Sequence, residues 1–193
     1  MHRLFGPVIA PLIEALDHPA GLETGAATGR LTERVLDAQG AQRAVLHAID
    51  PLPRLDPGLL ARAGERLEVH AERAIGAIGR IEPVDLALLD GDPNWYSVHS
   101  ELTLLLRGAE REGRAAPLAV VHNVHWPFGR RDGYYDPAAI PPAHLREHTK
   151  LGLLPGQRDS SAWVIKRLER FGWATKVNWP DAERVEQRLA KAA

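Results

Sequence analysis

Cysteine is absent from the 193-residue chain. That excludes a disulfide framework, thiolate-ligated zinc or iron–sulfur sites, and a cysteine nucleophile. A surplus of one charge is absent too: 24 Lys and Arg face 25 Asp and Glu, for a net charge of -1. This speaks against a basic nucleic-acid binder or an acidic tail. The longest apolar runs fall short of a membrane span, and no signal-peptide core follows Met1, so a cytoplasmic protein is expected. No repeat of 20–50 residues and no low-complexity tract occurs. Aromatic residues reach only 6%, yet five of them are Trp, and there are nine His. Much of this content falls between Trp95 and Trp126, where chemistry is expected.

What is present is a regular alternation of strand and helix patterns. Helices are expected at 7–16, 28–38, 59–63, 72–78 and 94–111, and later at 160–171 and 181–193. Strands are expected at Gly21–Thr24, Ala44–Ile49, Leu67–His70, Val84–Leu89 and Leu118–Val121, with a last strand at Trp173–Trp179, and the continuous apolar run at Ala44–Ile49 suits a parallel strand buried on both faces. Alternation of this kind predicts a doubly wound, mostly parallel α/β sheet with helices on both faces, formed as one domain over residues 1–193. Residues 127–159 are rich in Gly, Pro and charge without a period, which reads as a lid-like excursion. Ligands of such sheets sit at the carboxyl ends of strands. The residues there are Glu23, Asp50, His70, Asp90, His122 and Asn123.

The turn Glu23-Thr24-Gly25-Ala26-Ala27-Thr28-Gly29 joins the first strand to a helix with the spacing G-x-x-x-G, not the G-x-G-x-x-G of a dinucleotide fold. Glycines permit positive φ and close approach of a ligand. The preceding carboxylate of Glu23 suits a zwitterionic amino-acid group with a sulfonium better than a diphosphate. A tight turn with no ligand is the alternative. Asp50, at the end of the second strand, stands where a carboxylate accepts ribose hydroxyls, although an Asp before a Pro-rich loop is also a common cap. Turn and Asp50 together favour a nucleoside lacking phosphate, which suggests S-adenosylmethionine.

These residues, with Asp90 after the fourth strand, resemble class I S-adenosylmethionine-dependent methyltransferases of Rossmann-like fold. Two longer stretches resemble a bacterial branch with small-molecule and sugar-bearing substrates: Leu89-Asp90-Gly91-Asp92-Pro93-Asn94-Trp95-Tyr96-Ser97-Val98, and Val121 to Tyr135 with its Trp126-Pro127-Phe128-Gly129-Arg130-Arg131-Asp132 core. The resemblance implies that Glu23, Gly25, Ala27 and Gly29 hold the methionine part and Asp50 the ribose. Pro51 would pack on adenine, Ala71 and Glu72 would lie by its edge, and Asp90 with Gly91 would face the transfer centre. Two positions depart from the branch: Pro93 stands where it commonly has His, and Asn123 where it commonly has Asp. Asp90 and Asn123 match two of the ligands of metal-dependent relatives. His122 replaces an acidic one, so Mg²⁺, which prefers oxygen ligands, is the less favoured reading.

Methyl transfer to oxygen needs alignment and a base. His122, His125 and Asp90 are the catalytic candidates. His99 competes as a base but equally reads as a plain surface or core histidine. Trp95 and Tyr96 either wall the site or pack beneath their helix. Arg130, Arg131 and Asp132 either bind an anionic acceptor or form a solvated loop, and Tyr134 and Tyr135 would stack on the acceptor if that loop closes. The expectation is an O-methyltransferase of a small-molecule, sugar-bearing or similar acceptor, with no nucleic-acid or membrane partner and with a homodimer allowed. The rivals are a cofactor-binding regulatory protein without catalysis, motivated by Pro93 and Asn123, and a nicotinamide-dependent dehydrogenase.

Overall fold

The computed structural model describes residues 1, 4–40, 44–92 and 95–122. Among these residues five parallel strands form one sheet: β1 (Gly21–Thr24), β2 (Leu46–Ile49), β3 (Leu67–His70), β4 (Leu86–Leu89) and β5 (Leu118–Val121), in the order β3-β2-β1-β4-β5. The chain moves outward from β1 to β3, then crosses back to β4 beside β1 and moves outward again to β5. Right-handed crossovers in opposite directions place their helices on opposite faces of the sheet. The helices accordingly pack in two groups, α1 (Ala10–Ala15) with α2 (Arg30–Gln39), and α4 (Ala74–Ile78) with α5 (Trp95–Arg111), while α3 (Pro57–Ala63) leads into β3. The expected doubly wound α/β class is the one observed.

Burial follows from this layering. Every residue of β1, β2, β4 and β5 is buried, which is why β4 and β5 read as continuous apolar runs rather than alternating ones, while β1 and β2 bury Glu23, Thr24 and His47 as well. Leu22, Leu46, Ile49, Leu86 and Leu88 are almost wholly excluded from solvent and centre the core. Each such side chain contributes roughly 1.5–3 kcal/mol on burial. β3 differs: Glu68 and Val69 are exposed, and among the described residues it bounds one side of the sheet.

Several element bounds differ from the sequence reading, each for a local reason. The first helix opens as a π-helical stretch, Phe5–Ile9, in which Ala10 N–H reaches the Phe5 carbonyl. Pro11 has no N–H to offer the carbonyl four residues back, so the regular ladder cannot close there. α2 starts at Arg30 rather than Thr28, because Ala27 (φ 47°) and Gly29 (φ 77°) are left-handed. α3 is stopped cleanly at its start by Asp56, whose side chain accepts from Leu59 N–H at 3.1 Å ahead of Pro57. The expected excursion at 127–159 and the later helices and strand lie outside the described residues.

Candidate functional site

The strand order turns back between β1 and β4, and there the carboxyl ends of neighbouring strands diverge to leave a crevice. The turn after β1 is anchored to the core by Gly25 N–H and Ala26 N–H, which both donate to the Ile49 carbonyl at 2.8 and 3.3 Å. Gly25 (φ 78°) lies so close to the turn after β4 that a Cβ atom there would be 2.4 Å from the Asp90 carbonyl oxygen. Only glycine permits both the backbone angle and the contact. Asp90 N–H in turn donates to the Thr24 carbonyl at 3.1 Å, so the two turns form one ledge.

Asp50 clamps the other side. Its Oδ2 accepts from Ala27 N–H at 2.9 Å and its Oδ1 from Leu52 N–H at 2.8 Å, while Arg54 N–H donates to the Ala27 carbonyl at 2.7 Å. The carboxylate thus holds the glycine turn and the Pro-rich loop at once. Each oxygen keeps a further lone pair for a ligand, so the cap and ribose readings of Asp50 are compatible in one geometry.

The third wall holds a cluster of buried and half-buried titratable groups. Asp90 Oδ1 lies 2.7 Å from His122 Nδ1, and its Oδ2 lies 2.8 Å from the Met1 amino nitrogen. Burial opposes ionisation of Asp90, but its contacts with His122 and the amine outweigh burial and hold the carboxyl below its ordinary range. Glu101, on α5, is 3% exposed. Burial first, and the nearby charge of Asp92 second, push its carboxyl up to about 8, against a lowering contribution from the Thr24 hydroxyl. Beneath the ledge, Glu23 is buried and accepts from Thr32 Oγ1 at 2.6 Å. Burial raises its carboxyl to about 7, with the Thr32 hydrogen bond acting the other way.

These elements enclose a cleft of about 520 Å³, a size suited to a small molecule. Of the residues singled out in the sequence, Gly25, Ala27, Asp50, Pro51, Asp90 and Gly91 line it together. Four others are placed elsewhere. Glu23 turns to Thr32, Gly29 packs against Leu55 and Leu59, Ala71 is exposed, and Glu72 pairs with Arg80. His122 adjoins the cleft through Asp90. His99 and Tyr96 are half-buried on α5, where the Thr103 hydroxyl donates to the His99 carbonyl at 2.7 Å. Asn123, His125, Trp126, Arg130, Arg131, Asp132, Tyr134 and Tyr135 lie outside the described residues. The cleft also includes Asp92 and Ser97, which fall in the Leu89–Val98 stretch without an assigned role, and Arg73 and Glu101, which the sequence reading missed. Glu101 had a signal: with Val98, Leu102, Leu105 and Ala109 it shares the buried stripe of α5.

A second cluster of titratable groups lies on β2 and β3: His47, Glu68 and His70. Among the described residues no helix is long and apolar enough to cross a membrane.

No protein-family model and no curated protein sequence matches the chain. Solved structures do align with it. One is the S-adenosylhomocysteine-bound methyltransferase PaMTH1 of Podospora anserina, with a TM-score of 0.48 and 15% identity over 75% of this chain and 63% of that one. Another is the O-methyltransferase TomG of Streptomyces achromogenes, involved in tomaymycin synthesis and bound to S-adenosylmethionine. It aligns with a TM-score of 0.46 and 21% identity over 78% of this chain and 68% of that one. The chain thus spans less than two thirds of the length of PaMTH1.

Proposed function

We propose that the cleft binds S-adenosylmethionine and that the chain transfers its methyl group to a small-molecule acceptor, at oxygen. The observation that carries this reading is the charge of the lining. Among the described residues of the lining, Asp50, Asp90 and Asp92 supply three carboxylates against the guanidinium of Arg73, and Glu101 adds a carboxyl group that burial keeps protonated up to about 8. Such a wall repels the diphosphate of a nicotinamide dinucleotide and favours a ligand bearing a cation. An open turn of left-handed residues, Gly25 and Ala27, lets a ligand lie against backbone, and Asp50 has lone pairs left for a diol.

When bound, S-adenosylmethionine supplies a methyl carbon on a sulfonium, whose sulfur leaves with the bonding pair as a neutral thioether. The residues present do the rest. Gly25 and Gly91 would hold the amino-acid end, Asp50 would accept from the ribose, and Pro51 would pack on the base. Asp90 acts as a positioning residue: by engaging Nδ1 of His122 it leaves Nε2 to accept the proton of an acceptor hydroxyl. His122 offers nitrogen beside Asp90 where Mg²⁺ prefers oxygen, so the base is assigned to His122 rather than to a Mg²⁺-activated oxygen.

Calorimetric titration of the chain with S-adenosylhomocysteine and, separately, with NAD tests the reading. One equivalent of the former should bind, and Asp50→Ala should weaken it by tenfold or more, since one or two charge-assisted hydrogen bonds at about 1.5–3 kcal/mol each are lost. Preferential NAD binding, or unaltered affinity in the variant, would overturn it. Turnover with any acceptor then separates an enzyme from a binding protein, and His122→Gln should abolish turnover while leaving binding intact.

A further inference from the structure

We propose that His47, Glu68 and His70 form a site for a divalent cation of the zinc class that staples β3 to β2. The parallel register sets His47 opposite Glu68 and Ile49 opposite His70. Side chains two apart along a strand share a face, so Glu68 and His70 lie on one side of the sheet together with His47. The ligand atoms converge. His47 Nδ1 is 3.2 Å from His70 Nε2 and 3.3 Å from Glu68 Oε2, and the last two atoms are 3.9 Å apart. Tetrahedral zinc, with bonds of about 2.0–2.2 Å to nitrogen and oxygen, sets its ligand atoms roughly 3.3–3.6 Å apart. The triangle therefore needs adjustments of only a few tenths of an ångström.

The chemistry of the donors selects the metal. Two imidazoles and one carboxylate suit Zn²⁺ and its transition-metal neighbours, whereas Mg²⁺ and Ca²⁺ prefer oxygen throughout. A single proton on His47 Nδ1 serves one neighbour at a time, while a cation uses all three lone pairs together. His47 is buried and Glu68 more than half exposed, so a fourth position facing solvent is available to water. The site also stands where the fold gains from it. β3 bounds the sheet among the described residues and is its least buried strand, held to β2 by backbone pairing. The His70 carbonyl accepts from Asp50 N–H at 3.1 Å, so a clip here also steadies the strand end that carries the cleft's carboxylate.

The test is zinc uptake by the full chain, measured by competition with a chromogenic chelator, alongside the thermal midpoint and the visible spectrum with Co²⁺. One Zn²⁺ per chain is expected, with a raised midpoint and cobalt bands of a tetrahedral site. Glu68→Gln and His70→Asn should each weaken binding by at least tenfold, since losing even an outer hydrogen-bond partner of a ligand costs roughly 10–100-fold. His18→Asn, in the loop before β1, should leave binding unchanged. Glu68 is exposed enough that its variant keeps the test valid if His70→Asn fails to fold. No zinc uptake by the wild type, or equal uptake by the wild type and Glu68→Gln, would overturn the assignment. Loss of uptake in His18→Asn would overturn it as well.

Discussion

Replacing Glu101 by Gln should change how stability depends on pH more than it changes stability itself. The carboxyl is 3% exposed and is driven from an ordinary 4.5 to about 8, chiefly by burial. In the unfolded chain it ionises near 4.5, whereas in the folded chain it keeps its proton to about 8. Between those values the native state binds more protons, so raising the pH destabilises it. The contribution is complete below 4.5, declines through the window, and is gone above about 8. At about 1.4 kcal/mol per pH unit, the window sets a ceiling of roughly 5 kcal/mol. Gln has the same shape and stays neutral. Urea unfolding followed by Trp fluorescence at pH 5 and pH 8 gives the comparison. The wild type should lose several kcal/mol more than Glu101→Gln on going to pH 8, and the two should lie close together at pH 5. Glu23, raised to about 7, leaves a residual slope in both proteins. An equal loss in the two proteins would show that Glu101 ionises freely in the native state and would refute the burial argument.

Other outcomes follow from the same geometry. Gly25→Ala should cost at least about 2 kcal/mol in denaturant unfolding, since a positive φ and a clash act together. Gly40→Ala, with a similar φ of 66° but no neighbour within 4 Å, should cost only about 1–2 kcal/mol. Thr32→Val removes the hydrogen bond to the buried Glu23 carboxyl and should lower stability by about 1–3 kcal/mol in a thermal melt. If a sulfonium binds beside Glu101, it should pull the carboxyl toward ionisation. Calorimetry at pH 7 in buffers of different ionisation enthalpy should then show more protons released by S-adenosylmethionine than by S-adenosylhomocysteine.

Leu118–Val121 is legible to the residue because burial on both faces writes itself as an uninterrupted apolar run, whereas Gly21–Thr24 and Leu67–His70 carry polar residues and are legible from the turns and helix patterns that bound them. Helix starts were less so, because the left-handed angles of Ala27 and Gly29 delay α2 in a way that composition does not reveal. The glycine turn, Asp50 and Asp90 were legible from their places at strand ends. Glu101 was not, since a glutamate on a helix is solvated by default and only its phase against Val98 and Leu105 marks it. The meeting of His47 with Glu68 and His70 depends on the register of β2 against β3, which is a property of the assembled sheet and of neither segment alone.

The contact between Gly25 and Asp90 bridges residues far apart in the chain, through strands that become neighbours only when β4 inserts beside β1. The first three strands can pair among themselves without it. The ledge of the cleft therefore cannot exist in a growing or partly folded chain that ends before residue 90. Loop closure over so long a span is slow. Ligand binding at this ledge should accordingly be among the last properties gained during refolding, and its appearance would time the insertion of β4.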